Sequence, residues 1–170
     1  MCPIGITNRG FTVNGYPFIP KSTARMKAGQ FWGVPLRGKG FACGIILSIE
    51  KKHNGKRDSR RFLAGLLNWV GLENPTPTQI IGREVIAHGF AHLKTITENG
   101  RCLLGEVEPW WPWPPELENL HIISTWGYGV ISVLAQHYFG EKIEPGVSPK
   151  DGLTKPIGNS GAHEGTPPVN

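Results

Sequence analysis

Two apolar runs joined by a four-residue connection limit what this chain can fold into more than any other feature. Residues 27–36 read Lys-Ala-Gly-Gln-Phe-Trp-Gly-Val-Pro-Leu, the connection is Arg37-Gly38-Lys39-Gly40, and residues 41–49 read Phe-Ala-Cys-Gly-Ile-Ile-Leu-Ser-Ile. A period of two places Trp32, Val34 and Leu36 on one face of a first strand. It places Phe41, Cys43, Ile45, Leu47 and Ile49 on one face of a second. Gly38 and Gly40 tolerate the positive backbone angles of a tight turn between them. Pro35 has no N–H to give to a ladder, so the first strand ends there or lies at an edge. Ala42, Gly44 and Ser48 are small, which predicts another backbone packed closely on that face in a tightly curved sheet.

The order Gly29-x-Phe31-x-x-x-Pro35-Leu36, a Gly-containing turn, an aromatic residue and then Gly44 before an aliphatic run resembles the opening of the immunity protein 26 family. Members of that family are bacterial proteins inferred to neutralise the toxins of polymorphic toxin systems. Gly100-Arg101-Cys102-Leu103-Leu104-Gly105, followed by Pro109, is similar to the family's later part. The two blocks keep the family's order and spacing across residues 27–115. This chain departs from the family in having Gln30 where Asp is usual and Ile45 where Arg is frequent. It also has Arg101 near the place of an expected aromatic residue. The resemblance implies a protein that binds a cognate toxin, and it identifies no catalytic group.

At 170 residues the chain is long enough for one domain with a real core. Its 23 glycines and 15 prolines favour turns and short strands over long helices. A net charge of +5 permits contact with nucleic acid but does not require it. Cys2, Cys43 and Cys102 show no metal-knuckle spacing. Cys43 and Cys102 lie within apolar patterns, where free thiols act as small hydrophobes, and a reducing cytoplasmic setting is expected. Pro3, Gly5, Asn8 and Arg9 interrupt any leader-like apolar core, and no run approaches the length of a membrane span.

In chain order, Asn14-Gly15 between apolar residues predicts a hairpin whose second arm is limited by Pro17. Residues 62–70 are almost wholly apolar, and periodicity alone leaves strand and helix open; the family resemblance favours strand. Thr78 is placed to cap a brief helix over residues 79–82. Residues 84–97 alternate, with Ile86, His88, Phe90 and His92 on one face, and Asn99-Gly100 predicts a turn into a strand over residues 102–107. Residues 130–139 are the best helix, with Val130, Val133, Leu134, His137 and Tyr138 at helical spacing and Gly140 as its stop. The expectation is an α+β, mostly β fold: a small bent or barrel-like antiparallel sheet over residues 31–107 and one C-terminal helix. Residues 1–26 read as a hairpin and connector, 27–143 as the immunity-like domain, and 144–170, poor in large apolar residues, as a disordered tail.

Three features invite a functional reading. The basic stretch over residues 51–61 holds Lys51, Lys52, Lys56, Arg57, Arg60 and Arg61. As a solvated loop it needs no partner; as a phosphate-tracking loop it makes the chain a small nucleic-acid-binding barrel, although no aromatic residue interleaves it. His88 and His92 have a zinc-like i, i+4 spacing on a helix but lack the Glu after the first His, and on a strand their rings stand about 13 Å apart. Half-buried histidines without metal are expected. Trp110-Trp111-Pro112-Trp113-Pro114-Pro115 forbids a central strand and reads as an extended loop. Its tryptophans either plug the open end of the barrel or clamp the last helix, or they anchor another protein. On the second reading Glu106, Glu108, Trp110, Trp111, Trp113 and Glu116 form the partner-binding set for a cognate toxin, the carboxylates suiting a basic surface. No nucleophile elbow, phosphate loop, dinucleotide fingerprint or zinc spacing occurs, so neither catalysis nor a cofactor is expected.

Overall fold

The computed structural model describes residues 15–38, 40–51, 54–111 and 123–140. The expected disordered tail at 144–170 lies outside them, as does the first arm of the Asn14-Gly15 hairpin. The fold is mostly β with a C-terminal helix, as the alternating runs imply. Strands β1 (Gln30–Pro35), β2 (Phe41–Lys51), β3 (Arg57–Gly71) and β4 (Val85–His92) form an antiparallel meander. Helix α1 (Pro77–Ile80) connects β3 to β4. Two two-residue strands, β5 (Gly105–Glu106) and β6 (Thr125–Trp126), flank the meander, giving the order β5-β1-β2-β3-β4-β6. Helix α2 (Val130–Phe139) follows. The sheet is open rather than closed, and its last pair, β4 with β6, is parallel.

The turn between β1 and β2 forms as the glycines require, with φ of 101° at Gly38 and 104° at Gly40. β1 ends at Pro35, where β5 no longer flanks it. The apolar run after residue 61 is strand, and its continuity follows from burial on both faces. One face holds Trp32, Ile46, Phe62 and Leu66, covered by Ile131, Ala135 and Phe139 of α2. The other holds Phe31, Ile45, Leu63 and Leu67, covered by Ile80 and Val107.

Gly44 lies opposite Trp32 in the ladder, and a methyl group added there would fall inside the Trp32 indole. The close neighbour predicted for this glycine is therefore a side chain, not a backbone. Gly89 gives the Trp126 indole the same clearance on β4. Trp32 also meets Phe62 edge to face at 6.0 Å, a geometry worth about 0.5–1.5 kcal/mol beyond the area buried.

Several local expectations are corrected. A register shift between Ile46 and Ser48 turns Ile49 to the face opposite Ile45 and Leu47. A second shift, at Leu66–Leu67, leaves Ile86 on the α2 face and Phe90 on the other. The brief helix is capped by Thr76, not Thr78, through a capping box with Gln79 and with Pro77 in its first turn. Asn99-Gly100 is not a hairpin turn. Residues Ile96–Gly100 form one π-helical turn, and Gly100 presses against the Trp32 ring and the Gly33 carbonyl. The following strand shrinks to β5 and pairs with β1 at the far side of the sheet. Helix α2 has the expected bounds but a different buried stripe: Ile131, Ala135 and Phe139 are inside, while Val133 is 68% exposed.

The Trp32–Gly44 contact predicts an asymmetric response to one chemical change. Gly44→Ala should lose about 1–3 kcal/mol of unfolding free energy in a denaturant titration, because neither the indole nor the strand can yield. Gly129→Ala, where an added methyl meets nothing within 4 Å and φ is −93°, should change stability by less than about 0.5 kcal/mol. Equal effects would show that the indole is not wedged.

Candidate functional site

The tryptophan segment begins where β5 leaves the sheet. Val107 is held by a hydrogen bond from its N–H to the Gly29 carbonyl at 3.0 Å, so the chain leaves the sheet from a fixed point. Trp110 and Trp111 then pack, half-buried, against the Phe31 face, with ring centroids 4.9 Å apart and planes at 77°. Trp110 Nε1 donates to the Arg83 carbonyl at 3.1 Å, which ties the segment to the entry of β4. The two rings therefore help cover the sheet and keep part of their surface in solvent. Trp113 and Glu116 lie outside the described residues.

The two described carboxylates differ. Glu108 is exposed. Glu106 is engaged within the molecule: its Oε2 accepts from the Tyr16 hydroxyl at 2.8 Å and lies 3.7 Å from Lys27 Nζ. The Tyr16 oxygen accepts in turn from Gln30 Nε2 at 2.6 Å, and Gln30 Oε1 accepts from the Lys27 N–H at 2.9 Å. Gln30 is 1% exposed, so it serves as an internal linker between the N-terminal segment and β5. Burial first, and the hydrogen bond to Glu106 second, push the Tyr16 pKa up to about 12 from 10.0.

The basic stretch is not a loop along its whole length. Lys51 closes β2 and Arg57, Arg60 and Arg61 open β3, as an exposed arm around the Asn54-Gly55 turn. Arg57 Nη1 donates to the Met26 carbonyl at 3.3 Å, and Asp58 accepts from the N–H groups of Arg60 and Arg61 at 2.8 Å each. Aromatic residues absent from the stretch in sequence reach it in space. The Arg61 guanidinium lies 5.4 Å from the Phe90 centroid. Lys94 Nζ lies 5.0 Å from the Tyr128 centroid, and the His92 ring lies 5.4 Å from that same ring. Sequence reasoning missed Tyr128 because the parallel β4–β6 pair that delivers it leaves no local signal.

His88 is exposed and His92 half-buried on β4. Among the described residues no three His, Cys, Asp or Glu side chains gather as metal ligands. Cys43 is a buried free thiol whose pKa burial raises. Cys102 is disulfide-bonded, which corrects the expectation of a free thiol there and removes the cysteine argument for a reducing compartment. No described helix is long and apolar enough to cross a membrane.

The Tyr16 shift carries a sign. A pKa raised on folding stabilises the fold fully below the unfolded value near 10.0 and ceases to do so as pH rises through about 12. The melting temperature of the parent should therefore fall faster over that window than that of Tyr16→Phe, which has no phenol to ionise. Parallel alkaline profiles would show that the network does not hold the phenol proton. No family model, no curated protein and no solved structure matches the chain.

Proposed function

We propose that this chain is a bacterial immunity protein that binds a cognate toxin and blocks it sterically, without chemistry of its own. The motif resemblance across residues 27–115 supports the reading, and one structural observation carries it: two half-exposed tryptophans fixed on a rigid sheet beside the exposed carboxylate of Glu108. Aromatic anchors held in place before binding lose little conformational entropy on association and so contribute more of their contact energy. A neighbouring carboxylate steers a basic surface toward them. Glu106 supports this surface from beneath through Tyr16 and Lys27. A cytoplasmic place of action belongs to the same proposal and rests on the resemblance alone.

Co-expression with a toxin encoded beside this chain tests the reading. Trp111→Ala should melt cooperatively and lose protection, with affinity reduced roughly 30-fold if the ring is a hot spot of about 2 kcal/mol. Glu108→Lys, at an exposed position, should leave melting unchanged and slow association. Full protection by both folded variants would remove this surface as the interface. Unfolding of Trp111→Ala together with full protection by Glu108→Lys would assign the tryptophans to the core alone.

A further inference from the structure

We propose that the end of the sheet where β3 begins and β4 and β6 finish binds single-stranded nucleic acid, with Arg57, Arg60 and Lys94 holding phosphates and Tyr128 stacking on a base. The site does not rest on the toxin reading: its residues lie on β3 and just beyond β4 and β6, whereas Glu106 and Glu108 lie at and just after β5.

The fold assembles these residues from three separate parts of the chain. The Leu93 N–H donates to the Arg60 carbonyl at 2.7 Å, which sets Lys94 beside Arg60. The bond from Arg57 to the Met26 carbonyl, at 3.3 Å, fixes the start of β3 against the Thr23–Arg25 turn. Tyr128, two residues beyond the β4–β6 pair, is 43% exposed. The carboxylates nearby offset part of this charge. Asp58 Oδ1 accepts from the Arg60 and Arg61 N–H groups. Glu98 pairs with Lys94 at 3.5 Å, but both side chains are about half exposed, and such surface pairs are weak enough for a phosphate to replace.

His92 adds a neutral donor. Its Nδ1 accepts from the Lys94 N–H at 3.1 Å, which leaves the ring proton on Nε2. Burial, then Arg60 and Lys94, push its pKa down against the weaker opposite pull of Asp58 and Glu98. An exposed ring among cations is the arrangement that unpaired bases use, since each offers a π-face and a phosphate together. A duplex hides its base faces, and an acidic protein surface would use the cations and leave the ring without a role.

Fluorescence anisotropy on the full chain, with labelled oligo-dT and oligo-U in separate arms, tests the proposal and ranks DNA against RNA. Binding should weaken with salt, and Arg60→Ala and Lys94→Ala should each flatten the log–log salt slope by about 0.7. Tyr128→Ala should weaken binding by roughly 5- to 150-fold at unchanged slope, and Tyr128→Phe should retain it. Absence of binding to both oligonucleotides at low salt overturns the proposal. So does parental affinity in Tyr128→Ala, and so does displacement by polyglutamate at equal charge, which would mark a site for an acidic protein instead.

Discussion

The fold depends on one indole held between two glycines. Trp32 is fully buried, Gly44 lies across the ladder from it, and Gly100 closes on its other side. The ring fills the space that two side chains would otherwise occupy, so β1, β2 and the π-helical turn meet at one point. That turn is also fastened to the C-terminal helix: Asn99 donates to the Tyr128 carbonyl at 2.7 Å and accepts from the Ser132 hydroxyl at 2.7 Å. The position of α2, and hence the cover over the Phe62 face, follows from where Trp32 lets Gly100 approach. The cost is a buried donor, because Trp32 Nε1 has no hydrogen-bond partner among the described residues. An unmet buried donor costs roughly 1–3 kcal/mol, an expense that the packing of so large a ring on three elements offsets.

Covering both faces of an open sheet leaves two edges to manage. Here each edge is a strand of two residues, β5 and β6, too short to template another chain. The same device delivers the exposed residues. β5 leads directly into Glu108 and the tryptophans, and β6 leads directly into Tyr128. Short edge strands thus protect the sheet and set the origin of each candidate surface.

The features legible in the sequence were those written in local period and turn chemistry. The alternation around Gly38 and Gly40 marked β1 and β2, and Gly140 marked the end of α2, whereas the unbroken apolar run of β3 left strand and helix open and only the resemblance favoured strand. What stayed hidden was set by contacts between distant segments. Gly44 and Gly100 are small because of Trp32, a relation that sequence spacing does not encode. Register shifts within β2–β3 and β3–β4 moved Ile49 and Phe90 between faces, since one inserted residue reverses every side chain beyond it. Of the tryptophan segment, its extended nature was readable and its anchorage through Arg83 was not. The basic arm was readable as charge, while Phe90 reaches Arg61 across the β3–β4 pair and Tyr128 reaches Lys94 from beyond a parallel pairing of two residues.

A net charge of +5 runs against the proposed attraction of a basic toxin, and the separation of the charges reduces the conflict. Glu106 and Glu108 sit at or just after β5, whereas Arg57, Arg60 and Lys94 cluster around β3 and the end of β4. From β5 to β3 there are three strand spacings and to β4 four, about 14 and 19 Å at roughly 4.8 Å each, and the adjacent residues Met26 and Lys27 link the two ends, Met26 accepting from Arg57 and Lys27 pairing with Glu106. The Debye length in physiological salt is about 8 Å, so each surface acts on a partner mainly through its own charges. Lys27 pairs with Glu106 at 3.7 Å, Arg25 acts on the neighbouring Tyr16, and exposed Arg83 lends its carbonyl to Trp110, so Glu108 works beside cations as well as the tryptophans. Raising ionic strength should therefore weaken the two proposed interactions separately. Lowering it well below physiological levels would let the basic arm reach across the sheet and oppose a basic partner at the tryptophans.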